Sequence, residues 1–169
     1  MEIVLKNIKF SEALSEETNA FVADVFVDNQ KVAHAKNDGH GGSTFYLPYE
    51  GKRELLKKAE DFCLTLPAEK IFDSEIKMNL ELKIDLLLSD WLKAKNEKNF
   101  QKQLQKDSNK GICVKTKSGY DIISWKGFTI EKLLQLPNGR EALKKHLIQL
   151  KEEGKEILNK NIPVEFFSN

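Results

Sequence analysis

Between Asn19 and Asp28 the chain reads NAFVADVFVD, and the alternation in this stretch limits the folds open to it. Phe21, Ala23, Val25 and Val27 fall on one side of an extended backbone and are all apolar. Val22, Asp24, Phe26 and Asp28 fall on the other and are mixed. A period of two with one uniformly apolar face describes a strand in a sheet that is covered on one side only. Its neighbours fit the same sheet. Glu2–Phe10 predicts a first strand, with Ile3 and Leu5 on one face and Val4 on the other. Asp28-Asn29-Gln30-Lys31 predicts a short hairpin connection. In the returning strand Val32, His34 and Lys36 alternate with Ala33 and Ala35. After an interruption, Ser43–Leu47 predicts a fourth strand.

Beyond Pro48 and Gly51 the period changes. Lys52–Leu66 places Leu55, Leu56, Ala59, Phe62, Cys63 and Leu66 at helical spacing, and Pro67 ends the run. Ala68–Lys77 fits a strand or a turn equally. Asn79 to about Gln105 predicts a long helix, apolar through Leu80, Ile84, Leu87, Leu88, Trp91 and Leu92 and lysine-rich thereafter. Asp107–Gly111 reads as a turn. Gly111–Lys117 and Tyr120–Trp125 read as a second hairpin, and Thr129 as the N-cap of a helix over Ile130–Leu136. Pro137-Asn138-Gly139 predicts a break, Arg140–Asn159 a final helix, and Val164–Phe167 a tail that docks as a strand. Strands grouped before helices give an α+β class. The expected architecture is an N-terminal antiparallel β-meander packed on helices, followed by a β-hairpin and C-terminal helices. Residues 1–106 form the N-terminal α+β domain. Residues 107–169 form a smaller hairpin-plus-helix module, or join the first in one domain.

No apolar run approaches the roughly 18 residues a membrane span needs. The N-terminus lacks a basic segment followed by an apolar one, so no signal peptide is expected. Cys63 and Cys113 lack CxxC spacing and read as reduced thiols, which implies a cytoplasmic setting. Charge is unevenly spread. Residues 1–50 carry four lysines against eight acids, and residues 93–117 carry eight lysines against two acids. The chain has only two arginines, Arg53 and Arg140, which argues against bidentate recognition of phosphate or guanine.

Chemistry concentrates at Lys36-Asn37-Asp38-Gly39-His40-Gly41-Gly42-Ser43. Three glycines in four positions let backbone N–H groups approach a ligand, and an anion-binding nest is the functional reading. Lys36 and His40 would add charge, and Tyr46 a stacking ring. An ordinary long turn is the competing reading, although a plain hairpin needs about two residues. Neither GxxxxGK[ST] nor GxGxxG is matched. His34, Asp38, His40 and the distant His146 make a poor zinc set, so no metal and no cofactor are expected. Ser43 near His40 lacks a nucleophile elbow, and no catalytic residue is assigned. The lysine-rich helix offers a second surface. Lys98, Lys102 and Lys106 would follow nucleic-acid phosphates, with Phe100, Tyr120 and Trp125 available to stack on bases.

The string ETNAFVADVFVDNQKVAHAKNDGHGGSTFY resembles a pattern found near the N-terminus of small uncharacterised bacteriophage and mobile-element proteins, over residues 16–46. The resemblance carries no chemistry. It implies a host-cell cytoplasmic setting and an accessory role, in which such proteins often bind an enzyme or sequester a nucleotide signal. The combined expectation is a non-enzymatic protein that binds an anionic small molecule, such as a nucleotide, through the glycine loop. The alternatives are a module that inhibits a host protein and a nucleic-acid binder.

Overall fold

The alternating stretch forms strand β2 (Ala20–Val27), paired antiparallel with β1 (Ile3–Ser11) and with β3 (Gln30–Asn37). Strand β4 (Phe45–Pro48) joins the free edge of β3, so the sheet runs in the order β1-β2-β3-β4. The structure is a computed structural model and describes residues 1–71 and 73–167. The chain divides into two compact units, residues 1–94 and 95–169, each with its own core. The division falls inside a helix, upstream of the turn at residue 107 where the sequence suggests it.

In the first unit Phe21, Ala23, Val25 and Val27 are all buried, as the alternation requires. They pack against Leu56, Ala59 and Cys63 of α1 (Arg53–Leu64) and against Leu80, Ile84 and Leu88 at the start of α2 (Leu80–Asp107). The Asn79 side chain caps α2, accepting a hydrogen bond from the Leu82 N–H at 2.7 Å. The β2–β3 turn has only two residues, Asp28 and Asn29, with φ of 45° and 65°. Both angles lie in the left-handed region that tight hairpins demand and that Asp and Asn tolerate best after glycine.

Simple alternation fails at Val32. Val25 pairs with Ala33 and Phe26 with Lys31, so Val32 is the extra residue of a bulge. Val32 and Ala33 are both fully buried, whereas alternation would have set Val32 beside exposed His34. Strand β5 (Glu69–Ile71) pairs antiparallel with β6 (Ser74–Ile76) in a small sheet of its own. Phe72, which the sequence places in that segment, lies outside the described residues.

The second unit holds the hairpin β7 (Ile112–Lys115) and β8 (Tyr120–Ile123), then α3 (Ile130–Gln135) and α4 (Pro137–Glu152). Thr129 caps α3 by accepting from the Lys132 N–H at 3.2 Å. Pro137-Asn138-Gly139 is the first turn of α4, where the missing proline N–H costs nothing. A side chain at Gly139 would collide with the Leu133 carbonyl, so the glycine sets how closely α3 and α4 pack. Helix α4 stops at Glu152, short of Asn159. Gly154 takes φ 69°, and the Lys155 N–H bonds back to the Leu150 carbonyl at 2.9 Å. The freed segment adds to the hairpin through a bridge between Ile157 and Val114. Val164–Phe167 is a 3₁₀ turn with Phe166 buried, in place of the expected strand. Among the described residues, no helix is long and apolar enough to cross a membrane.

Candidate functional site

The glycine loop is tied to the β1–β2 connection, and Asn37 ties it. Buried Asn37 accepts from the Thr18 hydroxyl and the Gly39 N–H, both at 2.9 Å. Its Nδ2 donates to the Gly42 carbonyl at 2.9 Å and to Thr44 Oγ1 at 3.2 Å. The Gly39 carbonyl in turn receives three successive N–H groups, those of Glu16, Glu17 and Thr18, at 3.0, 3.1 and 3.2 Å. Gly41 donates its N–H to Thr18 Oγ1 at 3.2 Å. The nest is therefore formed by residues 16–18, and a carbonyl of the chain itself fills it.

The glycines are required by close approach. Gly39 has φ 94°, and a Cβ there would fall on the Leu14 carbonyl; Gly41 has φ 88° and faces the Glu17 carboxylate. Charge around the loop is mixed. His40 Nδ1 lies 3.1 Å from Glu16 Oε2, and Lys36 pairs with Asp38 at 3.7 Å. Gly42 and Ser43 are exposed.

Downstream, buried Thr44 fastens the loop to α2. Its N–H donates to Glu81 Oε1 at 3.0 Å and its hydroxyl to Asp85 Oδ1 at 2.7 Å. Burial pushes the Asp85 carboxyl up, the Thr44 hydrogen bond opposes that, and Glu81 adds to it. Tyr46 pairs with Ala35 and packs on the core, while Phe45 pairs with Lys36 on the outward face. The tyrosine ring and the Lys36 ammonium thus stand on opposite sides of the sheet. Burial, helped by Glu60, pushes the Tyr46 hydroxyl up to about 12.

On the outward face, Asp24 is 7% exposed and collects three donors. They are the Tyr49 hydroxyl at 2.5 Å, Asn7 Nδ2 at 2.7 Å and Lys31 Nζ at 3.0 Å. Burial alone would raise this carboxyl, but the hydrogen bonds from Tyr49, Asn7 and Lys31 outweigh it and hold the group at about 2. His34 Nδ1 stands 3.9 Å from Asp24 Oδ1. Sequence gave no hint of this cluster, because Asn7 reaches Asp24 only through a bulge between Lys6 and Lys9, at φ 54°.

The second unit contains a cleft of about 560 Å³ lined by Lys98, Lys102, Gln101, Gln105, Lys160 and Asn161. Leu104 and Leu158 supply its apolar walls, and Ser108 also lines it. Lys98 and Lys102 were singled out by the sequence; Lys160 and Asn161 join them from far along the chain. Lys106 and Trp125 do not line the cleft. Trp125 packs edge-on against His146, with ring centroids 5.1 Å apart, and Phe100 packs likewise against Tyr120 at 5.6 Å. Among the described residues Lys98, Lys102 and Lys160 make no ion pair. Beside the cleft, Asp107 is held at about 2 by Lys110, Gln103 and Tyr120, against the opposing effect of burial.

Burial pushes both thiols, Cys63 and Cys113, up, which disfavours the nucleophilic thiolate. Among the described residues, no three His, Cys, Asp or Glu side chains are grouped to hold a metal ion. Compared with family models, curated protein sequences and solved structures, the chain matches none.

Proposed function

We propose that the protein is a binding protein for phosphate-bearing ligands, and that the lysine-lined cleft of the second unit is its site. The observation that carries this reading is the convergence of Lys98, Lys102 and Lys160, none ion-paired among the described residues, on one cleft with amide side chains. Lysine ammonium groups serve as point charges for phosphate, and amides can meet the edge of a base. The surrounding charge supports it. Residues 95–169 carry fifteen basic against nine acidic side chains, a net of +6 that draws anions to this unit. The glycine loop is the weaker place for an anion, since its Gly39 and Gly41 N–H groups are already bonded and Glu16, Glu17 and Asp38 stand beside it. In an accessory protein of phage type, as the resemblance over residues 16–46 implies, such a cleft would sequester a nucleotide or grip a strand.

The test is titration of mononucleotides and short labelled oligonucleotides into wild type and a Lys98→Ala/Lys102→Ala/Lys160→Ala variant. Mononucleotide binding lost in the variant assigns a nucleotide site. Binding of strands alone, with the salt slope reduced by about one per lysine, assigns a nucleic-acid site. Equal binding by both proteins refutes the cleft. No binding by wild type refutes the whole reading and leaves recognition of a host protein in front.

A further inference from the structure

We infer that the outward face of the four-stranded sheet is a platform for single-stranded nucleic acid, on which a base stacks against Phe45 while Lys9 and Lys36 hold phosphates. The inference does not rest on the cleft. Lys9, Val22, Lys36 and Phe45 are successive partners across all four strands, so they form one row on one face. The adjacent row is Lys6, Asp24, His34 and Leu47. Phe45 is 64% exposed and Leu47 70%, an uncommon amount of apolar surface to leave side by side on an edge strand.

Charge indicates what covers them. The first unit is acidic overall, with twelve basic against seventeen acidic side chains, yet these two rows carry three lysines and a histidine against one carboxylate. That carboxylate, Asp24, is buried and already holds Tyr49, Asn7 and Lys31. Lys9 makes no ion pair among the described residues. The Lys36–Asp38 pair is 3.7 Å long, with Lys36 half-exposed and Asp38 more so, so a phosphate can replace the carboxylate at little cost. At its Lys9 end the face borders a cleft of about 440 Å³, lined by Lys9, Val22, Phe10 and Leu14 and, from the glycine loop, by Asp38 and His40.

An exposed ring beside lysines on an open sheet suits a ligand that offers both π-faces and phosphates, which a single strand does and a closed duplex does not. With lysine in place of arginine, and stacking as the base contact, sequence preference should be small.

The experiment uses the full chain and a short labelled oligothymidine, its duplex form, and polyglutamate as competitor, with anisotropy read between about 50 and 200 mM salt. Phe45→Ala should weaken single-strand binding by at least about five-fold, and Phe45→Trp should restore it. Lys9→Ala/Lys36→Ala should lower the salt slope by about 1.4, at about 0.7 per phosphate contact on a single strand. Both effects should persist in the Lys98→Ala/Lys102→Ala/Lys160→Ala background. Loss of binding in that background alone, with the Phe45 and lysine variants unchanged, would uphold the cleft and overturn the platform. Loss in the sheet variants with the cleft variant unaffected would do the reverse. Equal binding of duplex, displacement by polyglutamate as readily as by unlabelled strand, or no binding by wild type would each overturn the platform.

Discussion

Replacing Asn37 with alanine should unfasten the glycine loop, and the cost can be worked from its four hydrogen bonds. Thr18 and Thr44 lose little, because each keeps another partner: the Gly41 N–H for Thr18, and Asp85 for Thr44. Gly42 is exposed, and water can replace the lost amide at its carbonyl. The buried Gly39 N–H cannot be rehydrated in this way. An unsatisfied buried donor costs about 1–3 kcal/mol, and the weaker losses add about 1 kcal/mol together, for a total of roughly 2–4 kcal/mol.

Each unit contains one tryptophan, Trp91 in the first and Trp125 in the second, so a Trp125→Phe background makes fluorescence report on the first unit alone. In urea the Asn37→Ala midpoint should fall by about 1–3 M with the slope unchanged. Gly42→Ala, whose added Cβ meets no atom within 4 Å, is the control and should stay within about 0.5 kcal/mol of wild type. A loss below about 0.5 kcal/mol for Asn37→Ala would mean that the loop N–H groups are not committed to the fold, and the loop would return as an anion site.

Two further outcomes follow from other buried polar groups. Asp24 has its folded value depressed from 3.8 to about 2, so its contribution is present above about pH 4 and is lost as pH falls through the folded value. Asp24→Asn should cost on the order of 1–2 kcal/mol at pH 7 after allowance for solvent screening, with the gap to wild type closing by about pH 2; a gap independent of pH would refute the assignment. Asn159→Leu should destabilise the second unit by about 2–4 kcal/mol, read from Trp125 in a Trp91→Phe background. It strands the Cys113 N–H and the Gly111 carbonyl, while the Ser108 carbonyl keeps Asn161 Nδ2 as a donor, and an unchanged midpoint would show that water replaces the amide.

The parts of the fold legible in the sequence are those set by local pattern. The apolar face of β2, the Asp28–Asn29 turn, the Thr129 cap and the long α2 each follow from spacing or a turn residue. What sequence obscures is set by distant partners. Val32 is core because of a bulge against β2, which no period of two announces. Asn37 looks like a ligand donor until Thr18 and Thr44 are seen to occupy it. Tyr46 looks adjacent to Lys36 until β4 begins at Phe45 and its register turns the ring inward. Lys160 and Asn161 carry no local mark; the turn at Gly154, just past the end of α4, frees the chain to bring them beside Lys98 and Lys102.

The order in which core residues occur along the chain has a consequence for its synthesis. Every residue of the first core precedes residue 93, whereas the second core also needs Ile157, Ile162 and Phe166, and its β7 strand needs the Asn159 amide. Domains generally fold as units as they emerge from the ribosome. The sheet and its two helices can thus complete while the lysine-rich unit is still being translated. That unit must wait for residues 157–166, with the hydrophobic side of β7 unprotected in the interval. A translation arrest between about residues 110 and 155 would leave a folded, acidic first half attached to an open, basic second half, the form in which a chaperone would be expected to bind.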